Sequence, residues 1–66
     1  MYTAFELSLS IDMINGREVH ARRARATRDW VRAACEDAGE PDWLINWVVY
    51  NVERAILRGD WPLLPE

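Results

Sequence analysis

From Phe5 to Met13 apolar and polar residues alternate without a break, with Phe5, Leu7, Leu9, Ile11 and Met13 on one side and Glu6, Ser8, Ser10 and Asp12 on the other. Successive side chains of a strand point to opposite faces, so this run predicts a strand with one buried and one wet face. Asn15-Gly16 follows, a pair that tolerates the positive φ of a tight hairpin turn. A three-residue loop, Ile14-Asn15-Gly16, sets Val19 and Ala21 opposite Ile11 and Leu9. A two-residue loop sets Arg25 across from Glu6 and Arg23 across from Ser8, exchanging the faces of the second strand. The first register buries Val19 and is preferred. Glu18 to Ala26 is also rich in Ala and Arg, good helix formers, and could instead open one long helix to Ala38. The turn pair favours the hairpin.

Beyond the hairpin the signals are helical. Thr27 suits an N-cap, and Arg28 to Ala38 then reads as a helix with Trp30, Val31, Ala34, Cys35 and Ala38 inward and Gly39 as its stop. Pro41 suits the first turn of a second helix, expected from about Asp42 to Arg58 and ended by Gly59. Its inner stripe is Ile45, Val48, Val49, Val52 and Ile56; Trp43, Trp47, Tyr50 and Leu57 form a second stripe beside it. That apolar arc is wider than one hairpin and one short helix cover. The tail, with Trp61, Leu63 and Leu64 among Pro62 and Pro65, is therefore expected to fold back over Trp43, Trp47 and Tyr50. The expected fold is α+β in the order ββαα, one domain spanning residues 1–66.

A chain of 66 residues is near the lower limit for burying a self-sufficient core. Small folds are often stapled by disulfides or zinc, but Cys35 is the only cysteine and has no Cys or His partner at ligand spacing. No metal or cofactor is expected, and His20, the one histidine, reads as a surface residue. Cys35, in an apolar helical stripe, reads as a buried and inert thiol. Met1 to Glu6 lacks a basic region followed by an apolar run, and Trp43 to Val52 is about half the length needed to span a bilayer. A cytoplasmic, soluble protein is expected.

All eight basic residues are arginine, and charge is segregated along the chain. Between Arg17 and Arg32 six arginines face only Glu18 and Asp29, whereas from Ala33 onward seven carboxylates face only Arg54 and Arg58. Two binding readings follow. Glu36, Asp37, Glu40 and Asp42 cluster at a helix junction and suit an acidic patch that meets basic groups on a protein partner, with Trp43 and Trp47 as aromatic anchors. Arg22, Arg23, Arg25, Arg28 and Arg32 suit phosphate neutralisation on nucleic acid, although the net charge of −3 is unusual for a small nucleic-acid binder. No catalytic constellation is visible. Arg58-Gly59-Asp60 spells an integrin-type tripeptide but reads as a helix terminus. A homodimer is a further way to cover the apolar surplus.

Phe5 to Met13 followed by two helical segments resembles the order of ribbon-helix-helix repressors, which implies a small DNA-binding transcriptional regulator. The chain departs from that pattern at Arg17 to Ala38, too long for the family's first helix, and has no basic residue on the exposed side of the first strand. In size, acidity and organisation the chain also resembles small phage-encoded inhibitors of host defence, the anti-CRISPR proteins among them. That resemblance rests on no motif. It implies stoichiometric blockade of a protein surface, in host cytoplasm, by carboxylates imitating DNA phosphate.

Overall fold

A computed structural model describes residues 2–66, which form three helices, α1 (Ala4–Ile14), α2 (Glu18–Asp37) and α3 (Asp42–Arg58), and an irregular tail. The described residues contain no strand, so the expected ββαα order is corrected to an all-α fold. The alternating run is α1. Thr3 is its N-cap, with Oγ1 accepting a hydrogen bond from the Glu6 N–H at 3.2 Å. Thr3-x-x-Glu6 ahead of an apolar run is a helix-start signature that the alternation masked. A period-two run also contains residues four apart, which stack on one helical face. Phe5 and Leu9 thus point into the core while Leu7, Ile11 and Ile14 remain exposed.

Asn15-Gly16 ends α1 and turns no hairpin. Gly16 has φ +78°, its N–H donates to the Met13 carbonyl at 3.3 Å, and the Arg17 N–H donates to the Asp12 carbonyl at 2.7 Å. These two bonds satisfy carbonyls the last helical turn would leave unpaired. A helix stop and a tight hairpin turn both call for positive φ, which is why the dipeptide alone did not separate them. The same pair of bonds recurs after α2 at Gly39 and Glu40 and after α3 at Gly59 and Asp60.

With the hairpin gone, residues 18–26 belong to α2, the long-helix alternative. Its buried positions, Ala21, Ala24, Thr27 and Val31, are mostly small and bring the neighbouring helices close. Of the inward set expected for this helix, Val31 is buried and Cys35 half-buried, whereas Trp30, Ala34 and Ala38 are exposed. α3 occupies the span its sequence predicts. Ile45, Val49, Val52 and Ile56 are buried, and Val48 is half-buried against the core.

Arg28, at the middle of α2, ties the helices together. Its guanidinium donates to Glu6 of α1 at 2.6 Å and to Glu53 of α3 at 3.4 Å, and to Asp29 at 2.9 Å, while lying 5.3 Å from the centroid of the Phe5 ring. Arg25 adds a second contact to Glu6 at 3.4 Å. The hydrogen bond from Arg28 holds the Glu6 carboxyl below its ordinary pKa of 4.5, against the opposing effect of burial. Burial also disfavours the charged form of Arg28, but its three carboxylate hydrogen bonds outweigh that and raise its pKa.

Thr27 is no N-cap. It lies mid-helix, 1% exposed, with its hydroxyl donating to the Arg23 carbonyl at 2.6 Å and accepting from the Leu64 N–H at 2.9 Å. Arg23 binds the Leu64 carbonyl at 2.8 Å and the Leu63 carbonyl at 3.4 Å, and Arg22 pairs with Glu66. Leu63 packs against the core. The tail therefore folds back, but these contacts fasten it to α2, leaving the Trp43, Trp47 and Tyr50 stripe open.

Two outcomes follow from these contacts. A carboxylate with a depressed folded pKa stabilises the native state above its unfolded pKa, and that stabilisation is lost as pH falls through the folded value. Thermal melts followed by circular dichroism should therefore show a melting temperature that falls as pH is lowered through and below the ordinary carboxylate range, with part of the slope absent in Glu6→Gln. Thr27→Val keeps the shape but leaves the Leu64 N–H without its acceptor; urea unfolding should register a loss of about 1–3 kcal/mol.

Candidate functional site

Three glycine-stopped helices in a short chain create sharp corners, and the α2–α3 corner gathers the predicted acidic residues. Glu36 and Asp37 occupy the last turn of α2, Glu40 the connection, and Asp42 the first turn of α3. All four are exposed, and none makes an ion pair among the described residues. Asp42 suits the positive end of its helix dipole. Glu36 and Asp37 sit at the negative end of α2, where a carboxylate is unfavourable and where the helix carries no basic residue. These charges oppose local stability and concentrate negative potential at one corner.

Trp43 follows Asp42 directly, so the acidic corner runs into the aromatic stripe. Trp43, Trp47 and Tyr50, spaced four and three residues apart, share one face of α3 and are 70%, 61% and 57% exposed. Leu57 continues the stripe, and Arg54 lies over the Tyr50 ring, 5.7 Å from its centroid. Beside its C-terminal half a groove of about 310 Å³ opens between α1 and α3, lined by Thr3, Ala4, Phe5, Tyr50, Glu53, Arg54 and Leu57. Tyr50, Arg54 and Leu57 were not singled out as site residues from the sequence; their successive steps of three, four and three residues along the helix from Trp47 were the signal.

The five candidate nucleic-acid arginines have a different fate. Arg22 and Arg23 hold the tail, Arg25 and Arg28 hold α1 and α3, and Arg32 makes none of these contacts. The segment expected to supply a DNA-reading ribbon, Phe5 to Met13, is helical. His20 is exposed on α2, with Nε2 3.9 Å from Asp12, whose carboxylate also accepts from Arg17 at 2.9 Å. Cys35 is a free thiol, half-buried at the edge of the core and so less enclosed than expected. Among the described residues no group of three or more His, Cys, Asp or Glu is placed to hold a metal ion, and no helix is long and apolar enough to cross a membrane. No family model, curated protein or solved structure matches the chain.

Partial burial sets the behaviour of the thiol. Cys35 in the native protein should react to completion with a thiol reagent, but several-fold more slowly than in the urea-unfolded chain. No reaction before unfolding would place it fully inside the core.

Proposed function

We propose that this protein is a non-enzymatic binding module, an inhibitor or adaptor, that docks on a basic protein surface. Glu36, Asp37, Glu40 and Asp42 supply the charge, and Trp43 and Trp47 supply the anchors. The observation that carries the reading is the continuity of four unpaired exposed carboxylates with an exposed tryptophan stripe across the α2–α3 corner. Tryptophan on a surface is concentrated at binding hot spots, where it fills desolvated pockets, while rim charges select the partner and speed its approach. Carboxylates held against a helix C-terminus, where they do not help the fold, support a role outside folding. The partner chemistry that fits is a cluster of Lys and Arg beside an apolar hollow, as on the phosphate-binding face of a nucleic-acid-handling protein.

Neutralising the corner with Glu36→Gln, Asp37→Asn, Glu40→Gln and Asp42→Asn together should change unfolding stability by no more than about 1 kcal/mol, because the charges are exposed. Affinity capture from cells that carry the gene should lose its bound protein with this variant, and wild-type capture should weaken as salt rises. Equal capture by both proteins would remove the docking reading. Mobility-shift titration with duplex DNA at two salt concentrations tests the other chemistry: salt-sensitive binding by the purified protein would point to the arginines instead.

A further inference from the structure

The aromatic stripe of α3 carries features of a surface complementary to itself. We propose that, without another partner, two copies of this chain pair antiparallel along α3, with the Tyr50 side chains meeting near the two-fold axis. The argument does not rest on the docking reading, although it shares Trp43 and Trp47 with it.

Charge selects the orientation. In a parallel pair the corner bearing Glu36, Asp37, Glu40 and Asp42 would lie against the same four carboxylates of the second copy. In an antiparallel pair it lies toward the end of α3 that carries Arg54 and Arg58, and the two helix dipoles also oppose. Arg54 makes no ion pair among the described residues, and the Arg58–Asp60 pair at 3.1 Å is exposed and exchangeable.

Shape agrees with that orientation. A two-fold axis at Tyr50 places Trp43 of the second copy, seven residues before the axis, against Leu57, seven residues after it. There the groove between α1 and α3 opens, apolar along Phe5, Tyr50 and Leu57, and about 310 Å³ in volume. Each copy offers the Trp43 indole and the groove that receives it, as an isologous interface requires. Trp47, three residues before the axis, comes within one residue of the register of Arg54 of the second copy, four after it, which favours stacking of the guanidinium on the indole.

Area sets the strength. From their exposures, Trp43, Trp47, Tyr50 and Leu57 offer about 500 Å² per copy on the usual areas of such side chains. A pair therefore buries about 1,000 Å² before its polar rim is counted, at the low end for a specific interface. That describes a dimer that exchanges readily and that a tighter partner displaces.

The test uses purified full-length protein in sedimentation velocity from about 5 to about 500 μM, a range suited to a weak interface. The wild type should pass from monomer to dimer across this range. Tyr50→Glu, which sets two carboxylates face to face at the axis, should remain monomeric throughout while keeping its helical circular dichroism and melting temperature. Leu7→Ser, exposed on α1 and outside the groove lining, should dimerise like the wild type. A wild type that stays monomeric at the highest concentration overturns the proposal, as does a dimer lost in Leu7→Ser and kept in Tyr50→Glu. Because no other protein is present, failure here is distinct from failure of the docking reading, which is judged by capture alone.

Discussion

Arg28, on α2, joins the three helices through one side chain. It reaches Glu6 on α1 and Glu53 on α3 while its guanidinium covers the Phe5 ring, the largest side chain in the core. A core this size, built around Phe5, Leu9, Val31, Val52, Ile56 and the two alanines Ala21 and Ala24 of α2, does not by itself define how three helices should be set against one another. Helices packed on alanine approach closely but slide easily, because a smooth small-residue surface offers few ridges. A planar guanidinium with several donors in fixed directions supplies the missing register. It does so in a partly buried place where each bond is stronger than at the surface.

Most of the basic middle of the chain is spent in the same way. Arg25 joins Arg28 on Glu6, Arg23 takes the Leu63 and Leu64 carbonyls, and Arg22 takes Glu66. Charge segregated along the sequence thus becomes charge paired in space, with α2 as the positive spine on which the other helices and the tail are laid. Of the carboxylates that make no ion pair among the described residues, all but Glu18 lie at the α2–α3 corner. A guanidinium already committed to a carboxylate or carbonyl must give up that contact to bind a phosphate, which bears on the proposed choice between a protein-docking and a phosphate-binding role.

The two exposed apolar faces differ in chemistry. Leu7, Ile11 and Ile14 on α1 are aliphatic, whereas Trp43, Trp47 and Tyr50 on α3 are aromatic and flanked by carboxylates at one end and arginines at the other. Large rigid aromatic groups lose little conformational entropy on binding and combine an apolar body with a polar edge. The α3 face is therefore the better equipped for recognition. The tail leaves it open because its own hydrogen-bonding groups are drawn to Thr27 and Arg23 on α2.

Much of the chain beyond residue 38 was legible in its residues alone. Pro41 and Gly59 bound α3, the stripe from Ile45 to Ile56 marks its buried side, and Gly39 stops α2, because caps and helical spacing are local properties of neighbouring residues. The exposed acidic corner follows from the same local rules, whereas Trp43 and Trp47 beside it were expected under the tail and are open instead. The first half was not legible in this way. Phe5 to Met13 satisfies both a strand's period and a helix's four-residue spacing, and Asn15-Gly16 serves equally as a hairpin turn and a helix stop. What chose between them is tertiary: α1 buries Phe5 and Leu9 against Ala21 and Ala24 and places Glu6 on Arg28, contacts between residues up to 22 positions apart. The destination of the tail was decided at the same level, by Thr27 and Arg23. No pattern within residues 60–66 specifies which helix will offer an acceptor to Leu64 and donors to its carbonyl.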